Sequence, residues 1–201
     1  NVNKQDNLFE IIFQVKGRGT NFLSKLEEGD FIDVVGPLGN GIFKLNGHKN
    51  VAIIGGGIGI FPLYEFAKEA QKEANTNIYL GFRSKDFVVL EDEFKNVANN
   101  LIITTDDGTY GNSGFAINYL EKDLNEKNID AIYACGPLPM LKAVKKLAES
   151  KNIFCQISLE QRMACGVGAC MGCSVKLTTE DVNYARVCKD GPVFDSKSVE
   201  I

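Results

Sequence analysis

Four of the chain's six cysteines, Cys165, Cys170, Cys173 and Cys188, are spaced C-x4-C-x2-C-x14-C. Thiols at that density hold a metal, carry out redox chemistry or form disulfides. Zinc sites usually show two close C-x2-C type pairs, and only Cys170 and Cys173 make one. Three cysteines in a glycine-rich loop with a fourth well downstream match the plant-type [2Fe–2S] spacing. A two-iron body needs four thiolates around something larger than one ion. A loop containing Gly166, Gly168 and Gly172 can wrap it and aim backbone N–H groups at its sulfurs. The spacing favours [2Fe–2S]; zinc, and disulfides or buried thiols, stay as alternatives. Cys135 and Cys155 lie outside the cluster and read as buried free thiols.

A second stretch with chemistry is "VAIIGGGIGIFPL". It places Gly55, Gly56, Gly57 and Gly59 between a strand and a helix. There the backbone can approach a ligand closely, and the helix N-terminus offers N–H groups and partial positive charge to a phosphate. A dinucleotide is the natural guest. The fit to G-x-G-x-x-G is imperfect, because Ile60 stands where the last glycine belongs and no acid follows the second strand. A tight turn without a ligand is the alternative. Cys135, Gly136 and Pro137 end a later strand on the same rim and leave room for a planar ring, or simply start a helix with a proline. Arg83 could read a 2′-phosphate, but reads better as a surface arginine. Asp106 and Asp107 read as a turn that bonds its own backbone, and the single His48 as surface.

These residues need elements to hold them. From Asn50 onward five apolar strands alternate with helices, which predicts a parallel sheet covered on both faces. In the helix after "NSG", Phe115, Ile117, Leu120 and Leu124 are the expected inner positions. Residues 1–48 read as β-strands and turns, with Leu8–Val15 a strand, one helical turn at "NFLSKL", and a strand on each side of Gly36-Pro37. The fold class is therefore α/β plus small all-β parts, in three domains: 1–48, 49–158 and 159–201. The chain has 201 residues and a net charge of −4 without a basic run, so no nucleic-acid surface is expected. No apolar stretch reaches the ~18 residues of a membrane span, and no signal peptide opens the sequence, so a cytoplasmic address is expected.

Taken in order, "GRGT", "VVGPLGNG", "IIGGGIGIFPLYE", "TTDDGTYG", "CGPLPMLKAV", "LEQRMACGVGACMGC" and "VCKDGPVF" closely resemble the electron-transfer subunits of two-component, NAD-dependent (class 1B) bacterial dihydroorotate dehydrogenases. These belong to the ferredoxin–NADP reductase superfamily. The resemblance spans nearly the whole chain, and the cysteine motif with "CKDGP" is its most specific part. It implies a flavin-binding β-barrel, truncated here, a five-stranded nicotinamide-binding domain and a small C-terminal [2Fe–2S] domain. It implies FAD, in the full-length protein, one [2Fe–2S] cluster and NAD. It also implies an FMN-containing dihydroorotate dehydrogenase catalytic subunit as partner, in a heterotetramer of two of each. Electrons would pass from that FMN through the cluster and FAD to NAD, in de novo pyrimidine biosynthesis.

By the same resemblance Cys165, Cys170, Cys173 and Cys188 are the cluster ligands. Gly19 and Thr20 receive the FAD pyrophosphate, and Ile12, Phe13 and Gln14 line the flavin. Where the family often has Tyr-Arg, this chain has Phe13-Gln14, one charge contact fewer. Gly56, Gly57, Gly59, Cys135, Gly136 and Pro137 form the nicotinamide-nucleotide site. The family's Arg-Pro-x-Ser flavin element has no match here and is expected to precede Asn1. The alternatives are a related flavin and iron–sulfur reductase subunit, of the sulfide dehydrogenase or NADPH:ferredoxin oxidoreductase type, and a zinc-stabilised nucleotide-binding module.

Overall fold

Apolar runs bounded by glycine, proline and asparagine become strands, and the amphipathic stretches between them become helices. In the computed structural model every residue is described except Asn1, Lys4 and 180–182. The chain divides into two compact units, Asn1–Pro37 and Leu38–Ile201.

In the first unit, β1 (Val2–Asn3) pairs antiparallel with β2 (Leu8–Phe9), and α1 spans Arg18–Leu23. The expected strand Leu8–Val15 stops at Phe9, and the stretch Phe31–Val35 is not a strand. β-forming side chains make a strand only where a neighbour takes up the backbone N–H and C=O groups. The ladder here is two residues long, and Phe31 is 96% exposed. No barrel closes among the described residues of this unit.

The second unit is built on one sheet. β3 (Asn50–Gly56) leads through a 3-10 turn into α2 (Ile60–Ala70); β4 (Asn75–Phe82), α3 (Glu91–Lys95), β5 (Asn100–Thr105), β6 (Asn112–Ser113) and α4 (Ala116–Glu126) follow. Then come β7 (Ala131–Cys135), α5 (Leu138–Ser150), β8 (Phe154–Ser158), β9 (Ser174–Lys176), β10 (Tyr184–Arg186) and β11 (Val193–Asp195). The sheet order is β11-β8-β7-β3-β4-β5-β6. The five expected parallel strands are its centre. The short β6 adds a parallel edge, and β11 adds an antiparallel edge on β8. β3 is flanked by β4 on one side and β7 on the other, so the chain reverses its winding direction there. The C-terminal ends of β3 and β7 are thus the place where open α/β sheets bind ligands.

Two apolar layers cover the sheet. Ile53, Ile60, Leu63 and Phe94 pack with Tyr133 on one face, and Ile54, Tyr79, Leu120 and Val144 on the other. Helix α4 buries Ala116 and Leu120, while Ile117 and Leu124 are half-buried. Phe115, an expected inner residue, is 62% exposed because it is the helix's N-cap and points away from the core.

Residues 38–48 lie on this unit rather than forming strands. The Tyr133 hydroxyl donates to the carbonyls of Lys44 and Leu45, each at 3.1 Å, and Lys44 N–H donates to Gln156 Oε1 at 2.9 Å. The cysteine segment also shares the main core. Cys173, Val175, Ala185, Val187 and Val199 are buried in the same apolar layer as Leu141 and Val144. Lys145 Nζ on α5 donates to the Val199 carbonyl at 2.6 Å. Short strands β9 and β10 cannot build a core of their own and take their burial from α5 and β8.

Candidate functional site

The register brings the two dinucleotide motifs together. Gly55 pairs with Cys135 across the β3–β7 ladder, so the turns after both strands sit side by side. At Gly59 only glycine fits: an added Cβ would stand 2.6 Å from the Cys135 carbonyl oxygen. The first N–H groups of the helical segment beginning at Gly57 have no partner within it. Gly56, Gly57 and Pro137 line a cavity of about 480 Å³. That is the size class of small-molecule and cofactor sites, and a glycine cradle at a helix start suits a pyrophosphate.

The same cavity is lined by Arg83, Asp106, Phe115 and Met140, of which the sequence reads Arg83 as surface, Asp106 as a turn and Phe115 as core. Arg83 follows β4 and Asp106 follows β5, so both lie at strand C-termini. That position, rather than any motif, was the signal for them. Asp107 closes the turn beside them as expected: Thr109 donates its backbone N–H at 3.0 Å and its hydroxyl at 2.6 Å to Asp107 Oδ1. His48 stacks on Phe154 and stands 3.8 Å from Asp130, away from the cavity residues named.

Cys135 is buried, and burial pushes its thiol up to about 11 although Ser158 hydrogen-bonds it. Cys155 is pushed up to about 12 by burial, against a hydrogen bond with Ser196. Both behave as the inert buried thiols expected outside the cluster.

The other four cysteines converge two and two. Cys165 and Cys170 face each other, with the Cys170 N–H donating to Cys165 Sγ at 3.4 Å. Cys173 and Cys188 face each other, with the Cys188 N–H donating to Cys173 Sγ at 3.5 Å. Among the described residues no three Cys, His, Asp or Glu close on one ion-sized point. Two pairs of thiols are the donor set of a body with two irons, two thiolates to each. Backbone N–H groups of Cys170, Val167 and Ala169 pull Cys165 down to about 6. The Cys188 N–H lowers Cys173, while Cys188 is raised by its bond with the Cys173 thiol. Sulfurs surrounded by N–H donors suit a cluster that must carry negative charge. The loop around them is open: Met163, Val167 and Met171 are each about half exposed.

In the first unit, Ile12, Phe13 and Gln14 lie exposed on the segment that follows β2. Gly19 and Thr20 sit in the first turn of α1. Thr20 Oγ1 accepts the N–H groups of Lys16 at 2.9 Å and Gly17 at 3.1 Å, which fixes that turn.

Comparison with known proteins gives the family. The model of the oxidoreductase NAD-binding domain matches residues 53–146, and that of the iron-sulfur cluster binding domain of dihydroorotate dehydrogenase B matches residues 160–200. The dihydroorotate dehydrogenase B (NAD(+)) electron transfer subunit of Caldanaerobacter subterraneus subsp. tengcongensis is 43% identical over 94% of this chain and 74% of its own length. This chain belongs to that family. The corresponding subunit of Fusobacterium nucleatum is 43% identical over 100% of this chain and 77% of its own. A solved structure of an NADH-dependent reduced ferredoxin-NADP oxidoreductase, described in the context of flavin-based electron bifurcation, matches with a TM-score of 0.82 at 35% identity. It covers 94% of this chain and 67% of that one. As a member of the dihydroorotate dehydrogenase B electron transfer subunit family, the chain is an oxidoreductase subunit with an NAD-binding domain and an iron–sulfur domain. Among its described residues no helix is long and apolar enough to cross a membrane.

Proposed function

We propose that this chain relays electrons between a dihydroorotate-oxidising catalytic subunit and NAD, through a [2Fe–2S] cluster and FAD. The two-and-two grouping of the cysteines carries the reading. It lies in the same compact unit as the glycine cradle, so one unit holds a donor set for one-electron relay and a site for a dinucleotide.

Cys165 and Cys170 would hold one iron, Cys173 and Cys188 the other. The backbone N–H groups on Cys165 and Cys173 stabilise negative charge on the reduced side of the relay. Gly56, Gly57 and Gly59 would receive the NAD pyrophosphate. The turn at Cys135, Gly136 and Pro137 would form the floor for the nicotinamide, with Phe115 and Met140 as apolar walls against water. Ile12, Phe13, Gln14, Gly19 and Thr20 would contact FAD, residues 1–48 being the flavin-binding part, 49–158 the nicotinamide part and 159–201 the cluster part. When bound, the flavin exchanges single electrons with a cluster and a hydride with NAD.

The partner is a catalytic subunit carrying FMN, in a heterotetramer of two of each. The exposed Met163, Val167 and Met171 around the cysteines suit a protein contact close to the cluster. A cytoplasmic address suits six cysteines that are all unpaired. The likeness at 35% identity to the NADH-dependent ferredoxin-NADP oxidoreductase supports a second reading, a bifurcating reductase subunit. The domain model matched by residues 160–200 favours dihydroorotate.

The test is co-expression with the FMN-containing dihydroorotate dehydrogenase subunit of the same organism. We expect a stable complex that reduces NAD with dihydroorotate. A chain that binds no such subunit but exchanges electrons between NADH and ferredoxin would decide for the second reading.

A further inference from the structure

One arginine joins the two arms of the cysteine site. Arg186 ends β10, two residues before Cys188. Its guanidinium donates at 2.7 Å to the carbonyl of Gly168, which lies between Cys165 and Cys170. Two residues further along the same loop, the Cys170 N–H donates to Cys165 Sγ at 3.4 Å. Gly168 has φ +78°, a conformation that needs glycine, and the Lys189 stem lies over it, so this peptide has little freedom to turn.

Arg186 also builds the turn that carries Cys188. Its backbone N–H donates to Asp190 Oδ2 at 2.7 Å, its Nε lies 3.4 Å from the same oxygen, and its carbonyl accepts from Asp190 N–H at 2.7 Å. The next residue, Val187, donates its N–H to the Cys173 carbonyl at 3.0 Å. A single side chain therefore spans from the Cys165–Cys170 loop to the Cys173–Cys188 pair.

We propose that Arg186 is a positioning residue that raises the reduction potential of the cluster, holding by its bond to the Gly168 carbonyl the loop whose Cys170 N–H is aimed at the Cys165 sulfur. A charge-assisted bond to a loop carbonyl is shorter and stronger than a neutral one, so it holds the loop's N–H groups in their aim. An N–H aimed at a cluster sulfur favours the reduced, more negative state. Asp190 offsets the arginine's charge at a distance, so the effect is carried by the aimed dipole rather than by net charge. This inference rests on the reading of the four cysteines as ligands of a two-iron cluster.

The experiment is a redox titration of the full chain, purified anaerobically with its cluster and followed by visible absorption and EPR. Wild type is compared with Arg186→Leu, Arg186→Lys and the charge-balanced double variant Arg186→Leu/Asp190→Asn. Iron content and circular dichroism are measured on each. In both Leu variants we expect intact cluster spectra and a reduction equilibrium shifted about tenfold toward the oxidised form, or 59 mV for one electron. Arg186→Lys should recover part of the shift, because a cation returns without the fork. Should Arg186→Leu fail to hold its cluster, Arg186→Lys alone carries the test with an intermediate shift. Retained clusters with unchanged potentials would overturn the role of Arg186. Recovery of the wild-type potential in the double variant would do the same, since net charge would then explain everything. A wild-type chain containing zinc and no iron would instead overturn the cluster reading itself.

Discussion

Gly59 and Cys135 stand so close that a single methyl group does not fit between them: a Cβ on the glycine would lie 2.6 Å from the Cys135 carbonyl oxygen. The obstacle is backbone, held by the β3–β7 ladder on the strand that Cys135 ends. Gly59→Ala must therefore push apart the two turns that line the cavity. Overpacking of this kind costs about 1–3 kcal/mol. We expect that loss in denaturant unfolding, together with at least tenfold weaker binding of NADH by fluorescence titration. Unchanged affinity would show that the glycine turn serves packing alone.

The buried thiols give a chemical test of the same region. With Cys135 at about 11 and Cys155 at about 12, both raised by burial, neither holds appreciable thiolate at pH 8. Iodoacetamide at that pH should leave both unmodified in the native protein and modify both in denaturant, as read by peptide mass spectrometry. Rapid native labelling of Cys135 would contradict its placement beneath the turn.

Beyond the site, Asp123 anchors α4 to the sheet. The Tyr79 hydroxyl donates to its Oδ2 at 2.7 Å, and Lys127 Nζ does so at 2.7 Å. Burial alone would raise Asp123, but the Lys127 ammonium and the Tyr79 hydroxyl more than offset it, so its carboxyl lies below the ordinary aspartate value. A lowered folded-state pKa gives stability that is present above the unfolded value, near ~3.9, and is lost as pH falls through the folded value. Thermal stability should thus fall in acid, and less steeply in Asp123→Asn. Asp123→Ala leaves the Tyr79 hydroxyl buried without its acceptor and should cost about 1–3 kcal/mol at neutral pH. A variant as stable as wild type would refute the anchor.

How much of this was legible in the sequence depends on where each signal resides. The runs around Ile53, Leu80, Ile103, Tyr133 and Ile157 are apolar on both faces, as buried parallel strands must be, and all five strands appear. The glycine loop and the Cys135 turn could be placed on one rim because both follow such strands. The strands expected before Asn50 could not be judged this way, since a strand depends on its neighbour and Leu8–Phe9 has only Val2–Asn3. Edge strands of two or three residues, such as β6 and β11, are too short to leave a periodic pattern. Phe115 looked like a core residue by spacing and instead lines the cavity, because spacing does not reveal that the helix begins one residue later. The cysteine spacing pointed to a two-iron body, but the pairing of Cys165 with Cys170 and of Cys173 with Cys188 is visible only in three dimensions.

Metal analysis of the anaerobically purified chain tests that pairing most directly. Iron, acid-labile sulfide and zinc would be measured per chain beside the EPR spectrum after dithionite reduction, for wild type and for Cys170→Ser. Wild type should hold two irons and two sulfides and give a reduced-cluster EPR signal, and Cys170→Ser should lose all three with the α/β circular dichroism retained. A colourless wild-type protein with one zinc and no sulfide would contradict that pairing.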